Sequence, residues 1–294
     1  MSDKPFKTID EQLELLKSRG LLIPDAEEAK SFLLRNNYYR ISGYSLTLRD
    51  HDHFFEGTTF KNIMDIYMFD RDLRHILLSY LDIIEVTFKS IYAYEFSKLY
   101  GPMGYLDEQN FTDPTRFHST INKVEEQKNK RLPNEAYLKH FINDLHESIP
   151  FWAYIDLFTI SNVSILYSIS GPELQNNVVQ HYPFANSKKA GVILGSAMKS
   201  MTIIRNLSAH ESRLFNRLFD QRPNLNRKDK QLLIVKPDGL PDNSHLYGFI
   251  LLMRQLLLPD EFRSLKEEIV AIHRKYPFVR MDFYGFRSDW VKKL

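Results

Sequence analysis

The sequence contains no cysteine among its 294 residues. This absence excludes a disulfide scaffold, catalysis by a thiol and metal binding by thiolates, and it fits a reducing compartment. No uncharged apolar stretch approaches the ~20 residues needed to span a bilayer, and the charged N-terminal segment differs from a signal peptide. We therefore expect a soluble, cytoplasmic protein that has no membrane partner.

Excess charge of one sign and glycine-rich motifs are also missing. The sequence has 39 lysines and arginines against 37 aspartates and glutamates, a formal net charge of +2, which is not the basic excess typical of nucleic-acid-binding proteins. No glycine-rich phosphate loop, G-x-S-x-G elbow or dinucleotide-binding fingerprint is present, so ATP-driven and α/β-hydrolase chemistry have no support. What is abundant is hydrophobic sequence, 43% of the residues, which excludes a mainly disordered chain.

Helical periodicity dominates the chain. Residues 58–100 contain neither glycine nor proline, and apolar residues recur there at spacings of three and four, which predicts one very long helix or two helices with a short break. Capping signals at Thr8, with Glu11, and at Asp25 predict two earlier helices. The sequence therefore predicts an all-α protein. Its expected parts are an N-terminal helical unit over 1–55, a main bundle over 58–219, a loop or short hairpin over 220–243 and a C-terminal helical extension over 244–294.

The segment Met201–Phe219, MTIIRNLSAHESRLFNRLF, is the most informative part of the sequence. On one continuous helix at about 100° per residue, apolar residues including Leu214 and Leu218 form a buried stripe. The opposite face lacks acidic residues, which distinguishes it from an ordinary solvated helix face of mixed charge. We predict that this face binds phosphate groups of RNA. Its polar residues are Arg205, Asn206, His210, Arg213, Asn216 and Arg217.

Charge is segregated along the chain. Residues 205–230 hold seven lysines and arginines against three acidic residues, a local charge of +4, so the other 268 residues sum to −2. A mildly acidic body with one basic segment favours selective rather than indiscriminate RNA binding.

The spacing of Arg205 and His210, with four residues between them, matches the arginine, polar residue and histidine signature of HEPN ribonucleases. Together with four other segments, it makes the sequence resemble the Abi-like family of bacterial abortive-infection phage-resistance proteins, from about Thr8 to Trp290. The resemblance implies a HEPN-like helical bundle and a composite active site between two copies of the chain. The other segments are Tyr38–Tyr44, Phe69–Arg74, Pro150–Trp152 and the C-terminal Gly285-Phe286 with Trp290.

The residue types of the motif suit metal-independent cleavage of RNA. The RNA 2′-hydroxyl is the nucleophile, and His210 carries a side chain that transfers protons near neutral pH. Arg205 offers a planar, charged set of donors to phosphate oxygens, while Asn206 is able to orient the histidine or the phosphate. The expected products have 2′,3′-cyclic phosphate and 5′-hydroxyl ends, as the HEPN resemblance also implies. This scheme requires no metal and no other cofactor.

The spacing of the motif also bears on oligomeric state. On one straight helix, the side chains of Arg205 and His210 point about 140° apart. Either the helix breaks near Leu207-Ser208, or a second copy supplies its own motif across a two-fold axis. The second arrangement predicts a homodimer. Gly191 and Gly195 allow a close helix approach, either at such an interface or inside one bundle.

Three further clusters are candidates for function. Tyr39 and Arg40 combine an aromatic face with a cation, which suits base stacking in RNA, although tyrosines in a small helical unit more often belong to the core. His51-Asp52-His53 contains metal-binding residue types but lacks the i,i+4 spacing of a helical site, so no metal site is favoured. Glu85 and Lys89, one helical turn apart, favour an ion pair along the long helix; a supporting role beside the motif stays open.

Two other classes of function stay open. A catalytically inactive RNA-binding module or toxin-like regulator would hold a specific RNA, such as a small non-coding RNA, on the same basic face. A helical scaffold for protein interactions would show no salt-sensitive RNA binding. The ends of any cleaved RNA distinguish a nuclease from a binding module.

Overall fold

The structure, a computed structural model, describes residues 5–145, 148–183, 187 and 189–294. Within these residues the protein has fourteen α-helices and one two-stranded antiparallel sheet, which confirms the predicted all-α class. The strands are β1 (Arg49–Asp50) and β2 (His53–Phe54). The helices are α1 (Ile9–Ser18), α2 (Ala26–Asn36), α3 (Tyr38–Ser42), α4 (Phe60–Tyr100), α5 (Pro114–Arg131), α6 (Ala136–Lys139), α7 (Phe151–Tyr154), α8 (Ile160–Ser168), α9 (Pro172–Val179), α10 (Ala190–Ala209), α11 (Arg227–Lys230), α12 (Leu246–Met253), α13 (Pro259–Lys275) and α14 (Trp290–Lys293).

The glycine-free and proline-free stretch forms α4, a single helix of 41 residues. The helix begins at a reciprocal capping box between Thr59 and Asn62, and it ends at Gly101, whose φ is +77°. Its apolar positions are buried, with Leu73 and Leu77 completely inaccessible to solvent. The periodicity therefore predicted this helix correctly, and no break divides it into two.

Because α4 is about 60 Å long at 1.5 Å per residue, it can serve as the central element of the bundle. Helices α7, α8, α9 and α10 pack along it, and α13 packs against it from the C-terminal part of the chain. Helix α10 also contacts α8, α9 and α12. Most of α10 is thereby enclosed, whereas its last residue, Ala209, and the following His210 are exposed.

The first two helices begin where the capping signals predicted. The Thr8 hydroxyl accepts from the backbone N–H of Glu11, and the Asp25 carboxylate accepts from that of Glu28. Helices α1 and α2 pack on each other, and α3 packs on α2. Strands β1 and β2 then form a hairpin, whose turn includes His51 with φ +50°.

The C-terminal part, predicted to be helical, contains the helices α12 and α13. Helix α12 is buried over its whole length, whereas α13 buries Phe262, Leu265 and Ile269 on one face. The preceding loop contains α11 and a single β-bridge between Val235 and Pro241. In the part of the chain that the structure describes, no helix combines the length and apolar character needed to cross a membrane.

Candidate functional site

The Arg205 to His210 motif lies at the C-terminal end of α10. Arg205 and Asn206 belong to the last part of the helix, which ends at Ala209. His210 is the C-cap residue, with φ −92° and ψ 18°. The prediction of one continuous helix over Met201–Phe219 is therefore wrong beyond Ala209.

The helix ends in a Schellman motif that contains no glycine. The backbone N–H of Ser212 donates to the carbonyl oxygen of Leu207 at 2.8 Å, and that of Glu211 donates to Ser208 at 3.2 Å. This geometry places Glu211 in the left-handed region, with φ +53°, where glycine is the usual residue. Because a glutamate occupies the position, the ordinary sequence signal for a helix end is missing.

Arg40 holds this turn from the N-terminal part of the chain. Its Nη2 donates to the Glu211 carbonyl oxygen at 2.7 Å and lies 3.3 Å from the Glu211 carboxylate. The guanidinium also lies 5.9 Å from the centroid of the Tyr67 ring. The neighbouring Tyr39 is 84% exposed and lines a cavity beside α1 instead. The structure therefore brings Arg40, but not Tyr39, to the motif.

Arg205 contacts a buried carboxylate on α4. Its Nε lies 3.6 Å from Glu85 Oε2, and its Nη1 lies 3.4 Å from the Oδ1 atom of Asn206. The other oxygen of Glu85 lies 2.7 Å from Lys89 Nζ, which confirms the predicted pair along the helix. Two cations thus share one carboxylate, and positive charge is left over for an anionic ligand. The Arg205 side chain is 36% exposed, so it is accessible from solvent.

His210 faces solvent, and its imidazole has no hydrogen-bond partner among the residues that the structure describes. Its backbone N–H donates to the carbonyl oxygen of Asn206 at 2.9 Å. Helix α10 continues through Leu207 and Ser208, so the break that would turn His210 toward Arg205 is not present there. Five residues of helix keep the two side chains about 140° apart. Within one chain, therefore, they do not converge.

The residues predicted on the same helix face lie in an irregular connection beyond α10. Arg213 is half-buried, and its Nη1 donates to the carbonyl oxygens of Gly43 at 3.1 Å and Phe215 at 3.0 Å. Arg217 donates to the carbonyl oxygen of Arg213 at 3.4 Å. Leu218, predicted to be buried, is 69% exposed. The prediction that these residues share one helix face with Arg205 is therefore wrong, because α10 ends at Ala209 and the chain changes direction after His210.

Asn216 closes the same connection against the C-terminal region. Its φ is +48°, and its backbone N–H donates to the carbonyl oxygen of Phe283 at 3.1 Å. Contact of Asn216, Arg213 and Arg217 with RNA stays a prediction. Their described hydrogen bonds are structural.

Asp70 fixes the connection from α4. This fully buried carboxylate accepts the backbone N–H groups of Leu214 at 3.2 Å and Phe215 at 2.8 Å. The sequence offered one indication of this role, since Asp70 falls between Ile66 and Leu73 in the apolar repeat of α4. A carboxylate in such a stripe is buried and must be matched by donors. Sequence reasoning did not identify this residue as part of the site.

The same carboxylate joins three further parts of the chain. It accepts the hydroxyl groups of Tyr44 at 2.8 Å and Tyr284 at 2.9 Å, and it forms an ion pair with Arg74. Burial raises the pKa of Asp70, whereas Arg74 and the donated hydrogen bonds act in the opposite direction. Asp70 is thus a hub between α4, the N-terminal unit, the connection after the motif and the C-terminal region.

Gly191 and Gly195 face the interior of the same chain. A Cβ atom at Gly191 would lie 3.0 Å from Gln175 on α9, and one at Gly195 would lie 3.6 Å from the Tyr167 ring on α8. The Tyr167 hydroxyl also donates to the carbonyl oxygen of Gly191 at 3.1 Å. Of the two predicted uses of these glycines, the structure shows close packing inside one bundle.

In the His51-Asp52-His53 segment, the structure pairs Asp52 with two arginines. The Asp52 carboxylate lies 3.1 Å from the Arg19 guanidinium and 3.4 Å from that of Arg49. Across the described ranges, no group of three or more histidine, aspartate or glutamate side chains is arranged to hold a metal ion.

Comparison with known proteins identifies one family. The sequence model of the family described as Abi-like protein matches residues 31–216, more than half of the chain. The matched range contains Asp70, Glu85 and the motif at the end of α10. No curated protein and no solved structure matches the chain.

Proposed function

This chain belongs to the Abi-like protein family, whose role is abortive infection in defence against phage, and from that premise we propose that it is a metal-independent endoribonuclease. One observation carries the proposal. The end of α10 presents a partly exposed arginine, oriented by a buried carboxylate, together with an exposed histidine whose ring is not engaged elsewhere in the described structure.

Arg205 supplies the positive charge for the reacting phosphate. When the RNA 2′-hydroxyl attacks phosphorus, negative charge develops on the non-bridging oxygens, and a pre-oriented guanidinium stabilises it. Glu85 contacts the guanidinium through Nε and Asn206 contacts Nη1, so Nη2 is left to bind the phosphate. Asn206, beside Arg205, adds an amide that can bind a phosphate oxygen.

His210 supplies the proton transfer at the attacking oxygen. Its imidazole accepts the proton of the attacking 2′-hydroxyl, and the P–O5′ bond breaks as water gives a proton to the leaving 5′-oxygen. The products are a 2′,3′-cyclic phosphate and a 5′-hydroxyl. Each reacting phosphate therefore needs one arginine and one histidine.

A second copy of the chain supplies the histidine for the phosphate that Arg205 binds. In one copy Arg205 and His210 point about 140° apart, and α10 has no break between them. Two copies related by a two-fold axis would place both motifs in one cleft, where each phosphate meets an arginine of one copy and a histidine of the other. We therefore propose a homodimer with a composite active site.

Exposed cations beyond the motif are suited to hold the rest of the RNA. Residues 222–230 form the surface around α11 and carry few acidic groups; Asp229 is buried and pairs with Arg254 there. Long cationic side chains in solvent bind phosphate groups without base specificity. The exposed cations are Arg222, Arg227, Lys228 and Lys230.

The test compares the parent protein with His210→Ala on a single-stranded RNA in the presence of EDTA. We expect the parent to leave 2′,3′-cyclic phosphate ends, detectable by mass spectrometry, and His210→Ala to leave the RNA intact. His118→Ala is the matched control, because His118 is an exposed histidine on α5, with 60% of its side chain accessible.

The result separates the nuclease from the alternative function. Cleavage by His210→Ala at the parental rate would contradict the proposed chemistry. If the parent binds the RNA in a salt-dependent manner but leaves it intact, the protein is an RNA-binding module instead.

A further inference from the structure

The N-terminal part of the chain contains a cavity of about 780 Å³, and neither Arg205 nor His210 belongs to its lining. The cavity lies between α1, α3 and the β1–β2 hairpin, and its lining includes both aromatic rings and cations, of which Arg19 and Arg49 form one wall around Asp52. This volume lies within the usual range for small-molecule sites, about 300 to 1,000 Å³. The residues that decide its chemistry are Phe6, Tyr38, Tyr39, Lys7, Arg19 and Arg49.

The cationic wall has more positive than negative charge. Arg19 and Arg49 both contact the single carboxylate of Asp52, at 3.1 Å and 3.4 Å. One carboxylate cannot neutralise two guanidinium groups, and Lys7 adds a further positive charge to the lining. Arg49 is largely buried, with 15% of its side chain exposed, so water compensates this excess poorly. An anionic group on the ligand would do so.

Two polar atoms of the lining residues have no hydrogen-bond partner among residues 5–145, 148–183, 187 and 189–294. They are the buried atoms Gln12 Oε1 and Arg49 Nε, whereas the Gln12 amide nitrogen donates to the Lys7 carbonyl oxygen at 2.8 Å. Buried polar groups without hydrogen-bond partners are unusual in folded proteins. A ligand that carries both donors and acceptors would pair with the Gln12 oxygen and the Arg49 Nε–H group.

We propose that this cavity binds a mononucleotide. A phosphate fits the Arg19 and Arg49 wall, where planar guanidinium groups bind phosphate oxygens in pairs. A base fits between the aromatic side chains of Tyr38, Tyr39 and Phe6, because every nucleobase offers a flat face for stacking. An uncharged apolar ligand would contact the aromatic side chains without pairing with the arginines, and a simple anion would pair with the arginines without stacking on the aromatic rings.

Helix α3 links this cavity to the motif. Tyr38, Tyr39 and Ser42 line the cavity, while Arg40 from the same five-residue helix holds Glu211, the residue after His210. A ligand that fixes α3 therefore also restrains the turn at the end of α10. Binding of the ligand does not depend on the proposed nuclease function. Only an effect of the ligand on RNA cleavage rests on that function.

The test uses His210→Ala protein, so that a failure of the proposed nuclease activity does not affect the measurement. Titration calorimetry with AMP is expected to show binding, and adenosine or inorganic phosphate alone is expected to bind at least tenfold more weakly. Arg49→Gln should weaken AMP binding at least tenfold. Arg263→Gln, an exposed arginine on α13 with 65% of its side chain accessible, should leave it unchanged.

A second variant and a second readout complete the test. Gln12→Glu places a negative charge at the cavity with little change in shape, and it should abolish AMP binding in protein whose circular dichroism is parental. Bound AMP should slow amide hydrogen exchange at Glu211 and Ser212.

Three results would overturn the inference. The first is no binding of AMP or ATP at millimolar concentration, and the second is binding that Arg49→Gln and Gln12→Glu leave intact. The third is an RNA oligonucleotide that binds as well as AMP and is weakened equally by Arg49→Gln, which would assign the cavity to an RNA end. AMP binding without slower exchange at Glu211 would refute the link through α3.

Discussion

The two halves of Met201–Phe219 are held in place by different kinds of interaction. The first half belongs to α10, whose hydrogen bonds are local and whose apolar residues pack inside the bundle. The second half has no regular structure and is fixed by distant groups: Asp70, Gly43 and Phe283. The motif residues lie on the first half and at the junction, so local helix packing positions Arg205, whereas long-range contacts position the turn that follows His210.

The largest effect is expected from removing the charge of Asp70, the carboxylate that holds the second half against α4. Asp70→Asn leaves Arg74 buried without its partner, and breaking a buried pair typically costs about 3 to 5 kcal/mol of unfolding free energy. Urea denaturation measures the loss. Asp65→Asn on the same helix is the control, because its partner Lys61 is 61% exposed and the change should stay below about 1 kcal/mol. Equal losses in both variants would contradict the hub.

The next effect concerns the first half. Glu85→Gln removes the charge that orients Arg205, and a displaced guanidinium should lower RNA cleavage by up to about 100-fold, equivalent to about 2.7 kcal/mol. We expect kcat to fall more than KM rises, because the role proposed for Arg205 is to stabilise the transition state. Asp82→Asn, an exposed carboxylate on the same helix, should cleave normally. Parental kcat in Glu85→Gln would show that Arg205 needs no orientation.

Arg213 and Lys228 separate a structural cation from an RNA-binding one. Arg213→Gln loses two hydrogen bonds to carbonyl oxygens, and we expect the unfolding free energy to fall by about 1.5 to 3 kcal/mol. Lys228→Gln should leave stability unchanged and reduce the salt dependence of RNA binding by about one unit of slope. Denaturation and RNA titrations at several salt concentrations measure both. If Arg213→Gln instead kept its stability and lowered the salt dependence of RNA binding, Arg213 would belong to the RNA-binding surface.

The smallest effect is a stabilising one at the junction of the two halves. Glu211→Gly relieves the left-handed backbone at φ +53° and keeps the carbonyl that Arg40 binds, so we expect a gain of about 0.5 to 1 kcal/mol. Glu211→Ala loses the same carboxylate without relieving the backbone, and it should be neutral or destabilising. A thermal melt that ranks alanine above glycine would contradict the Schellman geometry.

The same contrast explains how far the sequence could predict the structure. The long helix α4 was predictable because its periodicity has no glycine or proline to interrupt it, and the caps at Thr8 and Asp25 are local signals. The end of α10 was not, because Glu211 takes a position where glycine is expected. The roles of Asp70 and Arg213 depend on contacts between residues more than a hundred positions apart, such as Asp70 with Phe215. No local pattern records such contacts.

The composite active site is tested most directly by mixing two inactive copies. Arg205→Ala and His210→Ala chains, co-expressed with different tags and purified as heterodimers, bring one intact Arg205 and one intact His210 into the shared cleft from opposite copies. We expect each homodimer to be inactive and the heterodimer to recover RNA cleavage with cyclic phosphate ends. A heterodimer as inactive as the two homodimers, beside an active parent, would contradict a site shared between two chains.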